Sequence, residues 1–538
     1  MDDDQDQILT PAINKLTAAG DRRANIPAAF NGVQVILSGK PDVREVLGRL
    51  DVAGDSIGSS FTVTGPIGRA QFDGDVTDLS ILSTAGLDRF SAAQATNLSI
   101  TATTIGRVDL TNLTGGSITG TTLQSFSTRA DSRNNIVGDV SDLIVTLTGS
   151  ANEREALRGM KIDGAGENVQ INLTGNSGNL DFDGPVEGLQ LTVTSLNADQ
   201  PGEVRGLSMG QASNLTINVP RMGRVTATNI NGAGFIGTTL DSIQTSGDRR
   251  ENIPGDMNDV TVTLAGDPSA RETFGGVRVD GSSTGSSFNI TGDTGSFDFD
   301  GAVTDLTLTV ASEVRSLSAG RVTNLAINAD NFRSIKVTDI NGATILADTL
   351  KSLQTSGDRR ANIPGNFNNV EITLLGDATF RETFGGLRVD GSSTGATMEI
   401  SGDVGNIDFD GDVTDLEMTV FSEVRSIQGG HDVRFNGVQL SLPAGVGPVC
   451  AVGVDGQRIG PLRQPAAQGG LVRPGVAGLS SPDIGLLAGR PAAQGLHSVE
   501  GRPGQVQGIG DGAVDALEHG HKSHADVGWG RHRTYRER

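Results

Sequence analysis

Apolar and polar residues alternate along much of this chain in runs of three to five, as in Leu306-Thr-Leu-Thr-Val310 and Phe297-Asp-Phe299. That period of two predicts half-buried β-strands. Before many of these runs stands a second pattern, an apolar residue, two polar residues and another apolar residue. Val303-Thr-Asp-Leu306, Val314-Arg-Ser-Leu317, Val322-Thr-Asn-Leu325, Phe332-Arg-Ser-Ile335 and Leu350-Lys-Ser-Leu353 share it; the first four start eight to eleven residues apart and the last 18 further on. The two-residue step breaks the alternation and predicts a corner between short strands.

The pattern repeats on a longer scale. Gly20-Asp-Arg-Arg-Ala-Asn-Ile-Pro27 returns as Ala130-Asp-Ser-Arg-Asn-Asn-Ile-Val137, Gly247-Asp-Arg-Arg-Glu-Asn-Ile-Pro254 and Gly357-Asp-Arg-Arg-Ala-Asn-Ile-Pro364. The Asp positions 21, 131, 248 and 358 are 110, 117 and 110 residues apart. The third and fourth copies agree at 48 of 74 positions, so the period is genuine self-similarity. The long interval holds seven extra residues, Leu196 to Gly202, polar and ending Pro-Gly, which predicts an exposed loop.

The expected organisation is the truncated end of a preceding repeat over 1–19, then repeats over 20–129, 130–246, 247–356 and a partial one over 357–430. The first segment is read as truncated because Ile8-Leu-Thr-Pro-Ala-Ile-Asn-Lys-Leu16 aligns with the middle of a later copy, Ile345 to Leu353. Repetition with evenly spaced short strands predicts an all-β fold, a β-solenoid of four repeats of about 110 residues. Four β-sandwich domains are the alternative, since such a domain has about 100 residues. Some ten strands per copy, and few two-residue hairpin loops, favour the solenoid. A short helix is expected in each copy between the Asp267-Pro268 start and the Gly275-Gly276 stop, enclosing Arg271-Glu272 and its equivalents Arg44-Glu45, Arg154-Glu155 and Arg381-Glu382.

Residues 431–538 are different material. All six His, together with Cys450, Trp529 and Tyr535, lie there, and Thr appears only at Thr534. A weak echo of the repeat runs through Val438 to Leu442, and Pro-Ala-Ala-Gln-Gly then occurs twice amid Gly, Arg and Pro. A disordered linker and a reading-frame shift both fit this tail. The abrupt change in residue usage favours the shift. The cluster His519, His521 and His524 suggests zinc by residue type alone.

Composition narrows the function classes. Hydrophobic residues are 36% and aromatics 4%, with 75 Gly, which suits a thin aliphatic core with many turns. The net charge is −22, and the first 430 residues carry 31 basic and 55 acidic groups. Such a surface repels nucleic acid and anionic membranes. No stretch of about 18 apolar residues predicts a membrane span, and no secretory signal is visible at the start. Phosphate-loop, nucleophile-elbow and Cys/His catalytic patterns do not occur in the body, which lacks both Cys and His.

Three motifs carry candidate chemistry. Asp181-Phe-Asp-Gly184, Asp298-Phe-Asp-Gly301 and Asp408-Phe-Asp-Gly411 place Asp181, Asp183, Asp298, Asp300, Asp408 and Asp410 on the outer face with Phe inward; the first copy keeps only Gln71-Phe-Asp-Gly74. Clustered oxygens, joined by Asp293 and Asp305, suit calcium, and a solvated acidic face with turn-forming Asp and Gly is the plain alternative. The Asp-Arg-Arg loop is expected to brace neighbouring strands through Asp248 and an adjacent Arg, or to meet an anionic partner. Arg278 and Asp280 share an outer face and return as Lys161/Asp163 and Arg388/Asp390; Arg beside Asp on a β-helix resembles polysaccharide lyases.

Through its corner units and Gly/Asp turns, the stretch 8–430 resembles large bacterial cell-surface proteins built from β-solenoid repeats. The resemblance implies a secreted or surface location and a role in adhesion, surface layers or matrix, with polysaccharide or another surface component as partner. The leading expectation is therefore a non-enzymatic, extracellular structural or adhesive scaffold. The alternative is a carbohydrate-active β-helix that binds or cleaves a polysaccharide. Strictly periodic surface chemistry would favour the scaffold; a non-repeated cluster of Asp, Arg and Lys along one ridge would favour the carbohydrate-active protein.

Overall fold

Strands form where the period-two runs predict them. In the computed structural model, which describes residues 7–20, 28–39, 44–266, 271–358, 360–376, 382–430, 433–442 and 451–453, 39 strands join one sheet and no helix is found among the described residues. No helix there is long and apolar enough to cross a membrane.

The pairing is parallel throughout and always to a later stretch of chain. Ser56–Ile57 pairs with Val76–Thr77, Ser60–Val63 with Ser80–Ser83, and Ile67–Phe72 with Gly86–Ser91, so each strand meets the third one after it. Antiparallel contacts among the described residues are isolated bridges within loops, such as Asp248 with Ile253. The antiparallel sheets of a β-sandwich have no counterpart here, and that alternative fails.

Register explains the period. Ile13, Leu47, Ile67, Leu87, Ile105 and Leu123 are successive partners, at steps of 34, 20, 20, 18 and 18 residues, which total 110. From Leu123 the partners are Leu157, Ser177, Val204, Met222 and Leu240; the third step is now 27, and the total is 117. The seven inserted residues sit inside that step. All of this is compatible with a β-solenoid.

Two kinds of corner make the stacking possible. In Val303-Thr-Asp-Leu306 and Val322-Thr-Asn-Leu325 the third residue has φ of 55° and 54°. Asp, Asn and Gly tolerate this left-handed region best, which is why they recur at that place. Their side chains then form a ladder: Asn324 Nδ2 donates to Asp305 Oδ1 at 2.9 Å, and Asn97 Nδ2 to Asp78 Oδ1 at 2.9 Å. At the other corner a side chain on Gly68 would run into the carbonyl of Gly48 one step earlier, so close backbone approach demands glycine.

Inward residues form one continuous cluster from Phe30 to Leu440. Phe182, Phe299 and Phe409 are buried in it as their motif predicts. Phe274, Phe288 and Phe297 pack with ring centroids 5.0–5.9 Å apart. Each such ring contributes about 1.5–3 kcal/mol by leaving water. One shared core joins the repeats, rather than a core for each.

Three expectations need correction. The short helix is absent where its segment is fully described: residues 150–156 form turns, and Gly275 and Gly276 lie within the strand Phe274–Val279. The nine residues between the strands Val140–Leu147 and Leu157–Ile162 are too few to repay helix nucleation. In the other copies part of the segment lies outside the described residues. The insertion is not wholly exposed either. Gln200 is buried and donates Nε2 to the carbonyls of Ser150 and Glu153 at 3.1 and 2.6 Å, tying the insertion to that turn. Finally, pairing runs past Gly430: Val413 meets Phe435, Glu417 meets Gln439 and Ile427 meets Ala451. His519, His521 and His524, and the whole unit Gly469–Arg538, lie outside the described residues.

Candidate functional site

The outer residues of the strand that carries the Asp-Phe-Asp-Gly motif form polar rows, because parallel register places equivalent residues side by side. Lys161 lies opposite Asp181, Arg278 opposite Asp298 and Arg388 opposite Asp408. The next partners are Ser208, Ser318 and Gln428.

A protein cation thus occupies the acidic row. Lys161 Nζ is 3.1 Å from Asp163 Oδ1 and 2.8 Å from Asp183 Oδ2. Those hydrogen bonds, to Asp183 first and then Asp163, push the Lys161 ammonium well above its ordinary range. Arg388 lies 3.2 Å from Asp390 and 3.6 Å from Asp410, while Arg278 reaches Asp280 at 3.9 Å. Asp293 accepts from Ser312 and Asp305 from Asn324, so neither joins Asp298 and Asp300. No group of three potential metal ligands occurs among the described residues. Calcium takes six to eight oxygens; in the second and fourth copies two carboxylates clamp an ammonium or guanidinium instead, while in the third Arg278 pairs with Asp280 alone.

The Asp-Arg-Arg loop packs beside this row. Gly357, Asn362, Ile363 and Pro364 of the loop share an open groove of about 520 Å³ with Arg388, Asp390 and Asp410. The brace expected from Asp248 and an adjacent Arg to neighbouring strands does not form among the described residues; the Asp caps its own loop instead. Asp248 Oδ1 accepts from the backbone N–H of Arg250 at 2.7 Å, within its own loop. Asp131 does the same for Arg133, and the Asn134 side chain, then that N–H, hold its carboxyl below the ordinary value. A short polar side chain capping a turn is favoured by proximity over a long Arg. The loop base is stapled by a buried threonine: Thr128, Thr245 and Thr355 donate to the carbonyls of Gly138, Gly255 and Gly365 at 2.5, 2.5 and 2.6 Å. Ala18 holds that place in the first copy.

Sequence reading missed a second row. Lys15, Arg49, Arg69, Arg89 and Arg107 are successive register partners on five neighbouring strands. Two residues on, Asp51, Gln71, Ser91 and Asp109 form a parallel row. Lys15 and Arg49 approach Asp51 at 3.6 and 2.6 Å, and Arg89 reaches Asp109 at 2.9 Å. Burial pushes the Asp51 carboxyl up, but the hydrogen bond and charge of Arg49, with Lys15, outweigh it and hold it below its ordinary value. The signal was present as Leu47-Gly-Arg-Leu50, Ile67-Gly-Arg-Ala70, Leu87-Asp-Arg-Phe90 and Ile105-Gly-Arg-Val108. Unequal steps hid it.

The molecule therefore carries both kinds of surface: periodic Lys/Arg–Asp pairs and one non-repeated basic row. Comparison with known proteins returned no matching family model, no matching curated protein and no matching solved structure.

Proposed function

We propose that this chain is a non-enzymatic structural or adhesive scaffold of the cell surface, a β-solenoid in which four 110-residue repeats stack into one rigid acidic rod. The observation that supports this best is the register. Parallel steps total the sequence period, and a single core runs through all copies. Periodic ion pairs along the outside suit a surface displayed at intervals. A location outside the cell and a partner drawn from surface components extend the same reading.

Small-angle scattering on the full chain tests it. Stacked strands rise about 4.8 Å per step, so an array with some twenty register positions should give a rod section of about 90 Å. A compact, isometric particle would sink the proposal.

A second reading, a carbohydrate-active β-helix, gains support from one observation: the row from Lys15 to Arg107 is not periodic. Five evenly spaced cations make a strip rather than one reacting centre, so the binding half of that reading is favoured over cleavage.

A further inference from the structure

The row Lys15, Arg49, Arg69, Arg89 and Arg107 lies on neighbouring strands about 4.8 Å apart. Like charges directly opposite one another on paired strands repel, so the fold gains nothing from setting five in line. The row is also incompletely neutralised from within. Asp51 serves both Lys15 and Arg49, and Asp109 serves Arg89. Arg69 donates one guanidinium nitrogen to Gln71, while its buried Nε has no hydrogen-bond partner. Arg107 has no ion-pair partner among the described residues. Equivalent positions in the third repeat are Gly276, Ser296, Ser316, Ser334 and Ser352; in the second, Arg224 is the one cation. Beside the row's end, Asp88 and Gly106 line an open groove of about 580 Å³ that continues to Glu155 and Arg205.

We propose that this row binds an acidic polysaccharide, a polyuronate chain lying along it with successive carboxylates on successive cations. The guanidinium fork matches a carboxylate in two hydrogen bonds. The adjoining row of Asp51, Gln71, Ser91 and Asp109 supplies acceptors and donors at the same spacing for sugar hydroxyls. Nucleic acid is the poorer match. Duplex DNA carries one charge per about 1.7 Å, so it meets the stronger long-range repulsion from a body with 55 acidic and 31 basic residues. This inference rests on the scaffold reading, because only stacked, registered strands keep the cations in line.

The test is titration of the full chain with polygalacturonate by calorimetry, with neutral dextran and single-stranded DNA as comparisons. Saturable binding of polygalacturonate, weakened by salt, is expected. The triple variant Arg69→Gln, Arg89→Gln, Arg107→Gln should bind at least about tenfold more weakly. The pair Arg315→Gln, Arg425→Gln, outside the row, should bind as the native chain does. Circular dichroism accompanies each variant; should the triple variant lose its β spectrum, Arg107→Gln alone, which breaks no ion pair, should still weaken binding severalfold. Unchanged binding by a folded triple variant, no binding by a folded native chain, or tighter binding of DNA would overturn the inference and leave the scaffold standing. A native chain without an elongated, β-rich form would instead fail the scaffold reading itself.

Discussion

Glu45 and Glu272 occupy the same place in two repeats, but the position that faces Glu272 with a cation holds an acid in the first repeat. In the third repeat Arg315 reaches back to Glu272, and the second and fourth repeats do likewise with Arg205 to Glu155 and Arg425 to Glu382. In the first repeat the position of Arg315 is Asp88, and the cation stands one residue later, at Arg89. That shift takes the charge out of a cross-strand pair and sets it in line with Arg49, Arg69 and Arg107. The backbone path is the same in both. Glycines at the close approaches, left-handed Asp or Asn at the other corner and aliphatic inward residues carry it, so the outer corner residues are free to differ.

If the repeats differ only outside, core changes must hurt them equally. Phe297→Ala in the third repeat and Phe90→Ala in the first each remove a fully buried ring and should cost about 3–5 kcal/mol. Denaturant melts would show it, and a much smaller loss at Phe90 would break the comparison. Next comes the loop staple. Thr245→Val removes one of two hydrogen bonds to the Gly255 carbonyl, which keeps the Gly281 N–H, and should cost about 1 kcal/mol. Faster hydrogen exchange should appear around residues 247–255. The first repeat, with Ala18, already lacks this hydroxyl.

Asp51 gives a smaller, pH-dependent effect. Its folded carboxyl lies below the ordinary value, so its contribution is complete above the unfolded value of about 3.9 and disappears as pH falls through the folded one. Asp51→Asn should therefore lower stability at neutral pH by about 0.5 kcal/mol, given its exposure, and by nothing near pH 2. An equal effect at both would assign the loss to packing. Smaller still is Arg107→Ser, which installs the residue of the third repeat, Ser334. Stability should stay within about 0.5 kcal/mol; a large loss would mean that the row serves the fold. Last, excess calcium should leave the thermal midpoint of the full chain unchanged, because Lys161 and Arg388 already sit between the carboxylates. A rise of several degrees would show that Asp183 and Asp410 exchange those cations for the metal.

Much of the fold was legible in the residues. The inward Phe of Asp298-Phe-Asp-Gly301, the corner at Val322-Thr-Asn-Leu325 and the seven-residue insertion all stand where local pattern put them. Each depends on alternation or on a residue that suits one backbone conformation. The candidate site was legible only in part. Asp181 and Asp183 were rightly placed outside, but their partner Lys161 stands about twenty residues earlier, and its neutralising role follows from register. The helix expected around Arg154-Glu155 had local capping signals and no length to use them.

The sequence by itself determined the strand periodicity, the repeat and the positions of the corners, because these follow from side-chain polarity and the φ preferences of Gly, Asn and Asp over a few residues. Only the tertiary structure decided which residues stand side by side. Steps of 34, 20, 20 and 18 residues bring Lys15 and Arg107, 92 positions apart, onto one line across five strands. Hydrogen bonding between parallel strands fixes that alignment, and loops of unequal length, looping out without disturbing the ladder, erase it from the linear chain.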